Sequence, residues 1–199
     1  MNIIRNVFIH VIVEDQLQEL CIRKLLEIYR SNVWADYQNS GGKDKILKKI
    51  HNLYKAATDY PHIVCIDLDR DECAPSMLQD LKLLHVHSPQ FMLRIMVREV
   101  EAWILADRAN FARYLGISVK NIPTNTETIN DPKEFIISLA RRSKQNMRDL
   151  IPIGCGKVGP GYNAIPGKFI SDMWDPEKAR FHNDSLNRAI DRLAVFPRL

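Results

Sequence analysis

The stretch Pro61-His-Ile-Val-Cys-Ile-Asp-Leu-Asp-Arg-Asp-Glu72 constrains the chain more than any other. Ile63 to Ile66 is a short apolar run with β-branched residues, the pattern of a parallel strand buried on both faces. It runs straight into Asp67, Asp69, Asp71 and Glu72, with Arg70 the one base among them. Four acids are a costly way to end a core strand unless positive charge gathers there. Alternation along an extended chain puts Asp67 and Asp69 on one face and Leu68 on the other. Two carboxylates so placed suit a divalent cation, because hard cations prefer oxygen ligands. The same residues also read as turn formers, with Asp71 available to cap a following helix.

The rest of the chain supplies a sheet for this strand. Asn6 to Glu14 reads as a first, central strand, and Asp15 as the cap of a helix over 16–30 with Leu17, Leu20, Cys21, Leu25 and Ile28 inward. Glu14 directly follows Val-Ile-Val, at the mouth of a βα turn where open α/β sheets place ligands. In a parallel sheet it projects from the same edge as Asp67. Residues 32–37 form a short strand, 39–43 a Gly-Gly loop, and 43–57 a helix opened by Lys43. That loop lacks P-loop spacing, so ATP binding is not indicated. Pro75 to Leu84 reads as a helix, His85 and His87 as loop histidines without a zinc-site partner, and 90–97 as a strand interrupted by Arg94, which suggests an edge position or a snorkelling side chain. A helix follows over 98–107, with Glu99 in its first turn and Glu101 pointing elsewhere. Its continuation stops at Gly116.

Residues 117–131 read as a polar lid or linker. Asp131-Pro-Lys-Glu134 starts another helix, with Asp as cap and Pro at the first helical position. The glycine- and proline-rich stretch 151–168 reads as a long irregular loop, suited to substrate contacts from Lys157 and Tyr162. A last helix spans 176–194, with Leu186, Ala189, Ile190 and Leu193 inward and Ser185 and Asn187 outward. The expected architecture is therefore α/β: a mainly parallel sheet flanked by helices over 1–116, with a helical extension over 117–199.

Composition narrows the function classes. At 199 residues, 46% hydrophobic and 26% charged, the chain has ample core material for one domain with an appendage. No apolar run approaches the roughly 18 residues of a membrane span, and the N-terminus is too polar for a signal peptide. Four cysteines without Cys-x-x-Cys spacing suit free thiols in a reducing cytoplasm. The net charge of +4 permits a nucleic-acid partner. Between Lys133 and Lys168 seven bases, Arg141, Arg142, Lys144 and Lys157 among them, outnumber two acids. Together with Lys43 they are the residues to neutralise phosphates, and ordinary surface bases are the plainer account of each.

Val13-Glu14-Asp-Gln-Leu-Gln-Glu19 and Asp67-Leu-Asp69 resemble the two signature elements of the TOPRIM fold, found in topoisomerases, primases and OLD-family nucleases. Gly41-Gly-Lys43, Glu99-Val-Glu-Ala-Trp-Ile-Leu-Ala-Asp107 and Ser185-Leu-Asn-Arg-Ala189 resemble a narrower family of bacterial TOPRIM-like proteins. The resemblance implies a Mg²⁺- or Mn²⁺-dependent nuclease acting on DNA or RNA. Glu14, Asp67 and Asp69 would be its catalytic acids and first metal ligands, with Asp71, Glu72 or Glu99 serving a second ion. Glu14 is equally placed to be a general acid or base. The resemblance also implies an anti-phage role beside an ATPase partner, and is compatible with a homo-oligomer. Where TOPRIM proteins carry glycine after the first acid, this chain has Asp15. That departure motivates an alternative, a catalytically degenerate binding or regulatory subunit. A receiver-like phosphoacceptor domain is a further one.

Overall fold

The computed structural model describes residues 7–85 and 88–197. The chain divides into two compact units, Met1–Met96 with Arg188–Leu199, and Val97–Asn187. The division falls just after the fourth strand rather than at Gly116. The helix over 100–106 is the reason, since its packing partners are later helical segments.

The first unit is built on four parallel strands: β1 (Val7–Val13), β2 (Val33–Asn39), β3 (His62–Asp67) and β4 (Phe91–Met96). Their spatial order is β2-β1-β3-β4. β3 is buried at every position, as its unbroken apolar run requires. β1 lies inside the sheet and β4 at an edge. α1 (Gln16–Tyr29) packs on β1 and β2, its first turn capped by Asp15, whose Oδ1 accepts the Gln18 amide at 3.0 Å. Its buried face is Leu17, Gln18, Cys21, Ile22, Leu25 and Leu26. The expected stripe is thus turned by about one residue, leaving Ile28 exposed and taking in a glutamine. Each fully buried Leu or Ile here is worth roughly 1.5–3 kcal/mol.

The expected helix over 43–57 is two, α2 (Lys43–Leu47) and α3 (Ile50–Ala56), broken at the exposed pair Lys48-Lys49 and anchored by Ile46 and Ile50. α4 (Ala74–Asp80) ends earlier than the sequence suggests, and Leu83 beyond it is buried. Its cap is Cys73, not Asp71. His85 sits in an exposed turn, while His87 lies outside the described residues.

The second unit is helical. α5 (Val100–Ala106) is buried along its whole length. α6 (Arg108–Leu115) follows, closed by Gly116 in the left-handed conformation (φ 66°). Residues 117–131 do not form a loose lid. They make two 3₁₀ turns pinned by Ile122, Thr126 and Ile129, with Thr126 Oγ1 donating to the Ala102 carbonyl at 2.8 Å. α7 (Pro132–Arg141) starts as expected, with Asp131 accepting the Glu134 amide at 2.8 Å.

The irregular stretch is shorter than 151–168, because α8 (Ala164–Asp172) takes in Gly167 and Lys168. After α9 (Pro176–Ala179) and a 3₁₀ turn, α10 (Asp184–Leu193) closes the chain. Ser185 is not an outward residue. Its Oγ accepts the Trp103 indole N–H at 2.8 Å and donates to Asn183 Oδ1 at 2.9 Å, so hydrogen bonding brings it inside. No helix among the described residues is long and apolar enough to cross a membrane.

Candidate functional site

Strand order decides where a ligand can sit. From β1 the chain steps to β2 on one side, then crosses to β3 on the other. The C-terminal ends of β1 and β3 therefore flank the point where the order reverses, and there the crossover connections diverge and leave a crevice. Glu14 is the first residue past β1 and Asp67 the last of β3.

The two acids meet directly. Glu14 Oε1 accepts the backbone N–H of Asp67 at 2.6 Å. Gln18, one turn along α1, ties them further: its Oε1 accepts the Glu14 amide at 3.0 Å and its Nε2 donates to Asp67 Oδ1 at 2.9 Å. Gln18 is fully buried, a polar group satisfied at both ends, and orients Asp67. Sequence reasoning passed over it. The readable signal was a glutamine four residues after the acid, on the helix stripe that faces the sheet.

Asp69 is brought in by a backbone turn and not by strand alternation. The strand ends at Asp67, and Asp69 takes the left-handed conformation (φ 55°), which aspartate tolerates better than most residues. Leu68 points into the core. The Gly-Gly loop closes the crevice from the β1 side, with the Ser40 amide donating to the Val13 carbonyl at 2.9 Å and the Gly42 amide to the Glu14 carbonyl at 3.2 Å. Gly41 (φ 66°) and Gly42 (φ 126°) take backbone angles that side chains oppose. They deliver Lys43, whose Nζ donates to Asp71 Oδ2 at 2.6 Å, Asp69 Oδ2 at 3.2 Å and the Leu68 carbonyl at 3.2 Å. Lys43, expected to meet phosphates, here neutralises acids of its own chain. A cleft of about 330 Å³ lies beside it, lined by residues 41–45 and Asp69.

Burial raises the Glu14 carboxyl from 4.5 to about 7, helped by the charges of Asp69 and Asp15 and opposed by the Asp67 N–H and Lys43. Burial also opposes the Lys43 charge, but Asp71 and Asp69 outweigh it and raise that amine. Glu14 is thus a group that exchanges a proton near neutrality, the property asked of a general acid or base.

An oxygen-only donor set from two adjoining strand ends fits a hard divalent ion, as does a half-buried carboxylate pushed up by burial and, less, by neighbouring acids. With the side chains as they stand, no group of three or more His, Cys, Asp or Glu among the described residues is arranged to hold an ion. Lys43 already supplies positive charge at Asp69 and Asp71.

The other expected residues are dispersed. Glu72 is exposed in the turn before α4. Glu99 belongs to the second unit, as the residue before α5 begins, and its Oε2 accepts the Lys133 amide at 3.1 Å. Arg141, Arg142, Lys144 and Lys157 are exposed on that unit, Arg141 facing Glu134 at 3.5 Å.

Tyr162 is not open to a substrate: it is 3% exposed and its hydroxyl donates to Glu101 Oε1 at 3.2 Å. Glu101 is itself wholly buried, with Lys133 Nζ at 3.5 Å. Burial and Glu101 push the tyrosine hydroxyl far above its usual range. This Glu101-Tyr162-Lys133 cluster fastens the glycine-rich stretch to α5. The Glu-x-Glu-Ala-Trp segment is accordingly core material at Glu101, Ala102 and Trp103.

Comparison with curated proteins and with solved structures returned no match. One family model does match, covering residues 6–194, which span all four strands and the buried helix α5. The chain belongs to that family, described as a domain of unknown function (DUF4276).

Proposed function

We propose that the first unit is a TOPRIM-type centre for divalent-cation-dependent phosphodiester hydrolysis, acting on DNA or RNA in a reducing cytoplasm. The observation that carries this reading is the hydrogen bond joining Glu14 to Asp67 across the switch point of the sheet. Glu14, Asp67 and Asp69 would hold a Mg²⁺ or Mn²⁺ ion. When bound, such an ion polarises a phosphoryl oxygen and lowers the pKa of a coordinated water. The chain's own residues do the rest. Glu14 takes up or gives a proton near pH 7, Gln18 holds Asp67 in one orientation, and Lys43 balances charge at Asp69 and Asp71. The free cysteines, Cys21 and Cys65 buried and Cys73 and Cys155 exposed, suit the reducing compartment. An ATPase partner and an anti-phage role extend this reading on resemblance alone.

The test is cleavage of single- and double-stranded DNA and RNA with Mg²⁺ or Mn²⁺, beside calorimetric titration of each ion. Ion-dependent cleavage lost in Asp67→Asn supports the proposal, and the substrate arms identify the nucleic acid. Ion-independent cleavage, or a wild-type rate in Asp67→Asn, ends it.

A second reading is a regulatory or binding subunit with a degenerate site. The Lys43 ammonium on two of the acids, and the use of Asp15 as a helix cap, favour it. Undetectable affinity for either ion decides for that reading.

A further inference from the structure

A second cleft lies in the first unit, at the sheet edge formed by β4. Its volume is about 590 Å³, within the range of small-molecule sites. Leu78 of α4, Leu83 beyond it, and Phe91 and Leu93 of β4 make apolar walls. Two guanidiniums interrupt them, Arg94 from β4 and Arg192 from the last turn of α10.

The charge balance there is one-sided. Among the described residues neither Arg94 nor Arg192 forms an ion pair with a carboxylate. Arg94 Nε is buried with no hydrogen-bond partner among the described residues. A buried donor left in that state is costly, the more so on a charged group. Burial, together with the like charges of Arg192 and Arg188, draws the Arg94 guanidinium down to about 10. A stable core does not need this arrangement, because an aliphatic residue at an edge-strand position would pack without the cost. An entering anion removes it, since guanidinium groups take carboxylate or phosphate oxygens through paired N–H donors. The apolar walls specify the remainder of the molecule.

We propose that this cleft binds a small amphipathic anion, a carboxylate or phosphate head between Arg94 and Arg192 on an apolar body lying against Leu78, Leu83, Phe91 and Leu93. The site is separate from Glu14 and Asp67, and the proposal stands whether or not those acids hold an ion.

The experiment titrates the full chain with decanoate, decyl phosphate, decanol and inorganic phosphate, each below its micellar concentration, by calorimetry. Decanoate or decyl phosphate is expected to bind one per chain, and the tighter of the two identifies the head group. Decanol and inorganic phosphate are expected to bind at least about tenfold more weakly, equivalent to 1.4 kcal/mol. Arg192→Gln, at the part-exposed end of α10, is expected to weaken the anion about tenfold and leave decanol unchanged. Arg94→Gln is expected to do the same, and the Arg192 variant carries the test if Arg94→Gln does not fold. The proposal is overturned by no saturable binding of either amphipathic anion, by decanol or inorganic phosphate binding as tightly, or by unchanged affinity in Arg192→Gln.

Discussion

Replacing Glu14 by glutamine separates electrostatics from shape at the candidate site. The amide keeps an Oε1 acceptor for the Asp67 N–H and removes only the charge. The folded-state carboxyl titrates at about 7 against 4.5 for its ordinary value. Between those values the folded chain holds a proton that the unfolded chain has released, so stability falls as pH rises through the window. At about 1.4 kcal/mol per pH unit the full gap is roughly 3 kcal/mol. Solvent screening of a half-buried group reduces this to about 1–2 kcal/mol. Glu14→Gln should therefore melt about 2–8 °C above wild type at pH 8, given about 2–4 °C per kcal/mol for a chain of this size. The two should converge at pH 4.5 and below. Calorimetric or circular-dichroism melts from pH 4 to pH 8 measure this directly. A variant equal to or less stable than wild type at pH 8 refutes the claim that burial, with Asp69 and Asp15, makes the ionised Glu14 carboxylate costly.

Saturating Mn²⁺ should raise the wild-type melting temperature at pH 8 and shift Glu14→Gln much less; by linkage, about 100-fold excess over the dissociation constant adds about 2.7 kcal/mol. Lys43→Met removes the ammonium from Asp69 and Asp71 and should tighten Mn²⁺ binding several-fold in the same titration, while costing under about 1 kcal/mol of stability because both acids are part-exposed. Ser185→Ala strands the Trp103 indole N–H inside the second unit and should cost about 1–3 kcal/mol by urea unfolding. Gly159→Ala places a methyl group against the Asp149 carbonyl and the Leu150 backbone, so it should destabilise by more than about 2 kcal/mol, whereas Gly154→Ala meets open space and should cost about 1 kcal/mol for its left-handed backbone alone.

Much of the local structure was legible because it follows short-range rules. The buried run Ile63 to Ile66, the Asp15 and Asp131 caps, the left-handed stop at Gly116 and the inward stripe of α10 each depend on a few neighbouring residues. Misreadings cluster where a distant partner settles the outcome. Ser185 looked outward by helical spacing until Trp103 supplied a donor. Tyr162 looked available for substrate until Glu101 buried it. The polar stretch 117–131 looked like a lid, but Thr126 is held by the backbone of α5.

Acids at the ends of β1 and β3 are written in the chain, because an apolar run that stops at a carboxylate is visible without coordinates. Their meeting is not, since it requires the crossover that sets β3 beside β1 and a glutamine that reaches both acids. Sequence likewise showed a cationic residue interrupting an apolar strand. Only packing showed that Arg94 lies next to Arg192 with its Nε shut away from solvent. Propensity and periodicity act over a turn or a strand; charge and desolvation act through space, between residues whose separation along the chain says nothing of their distance.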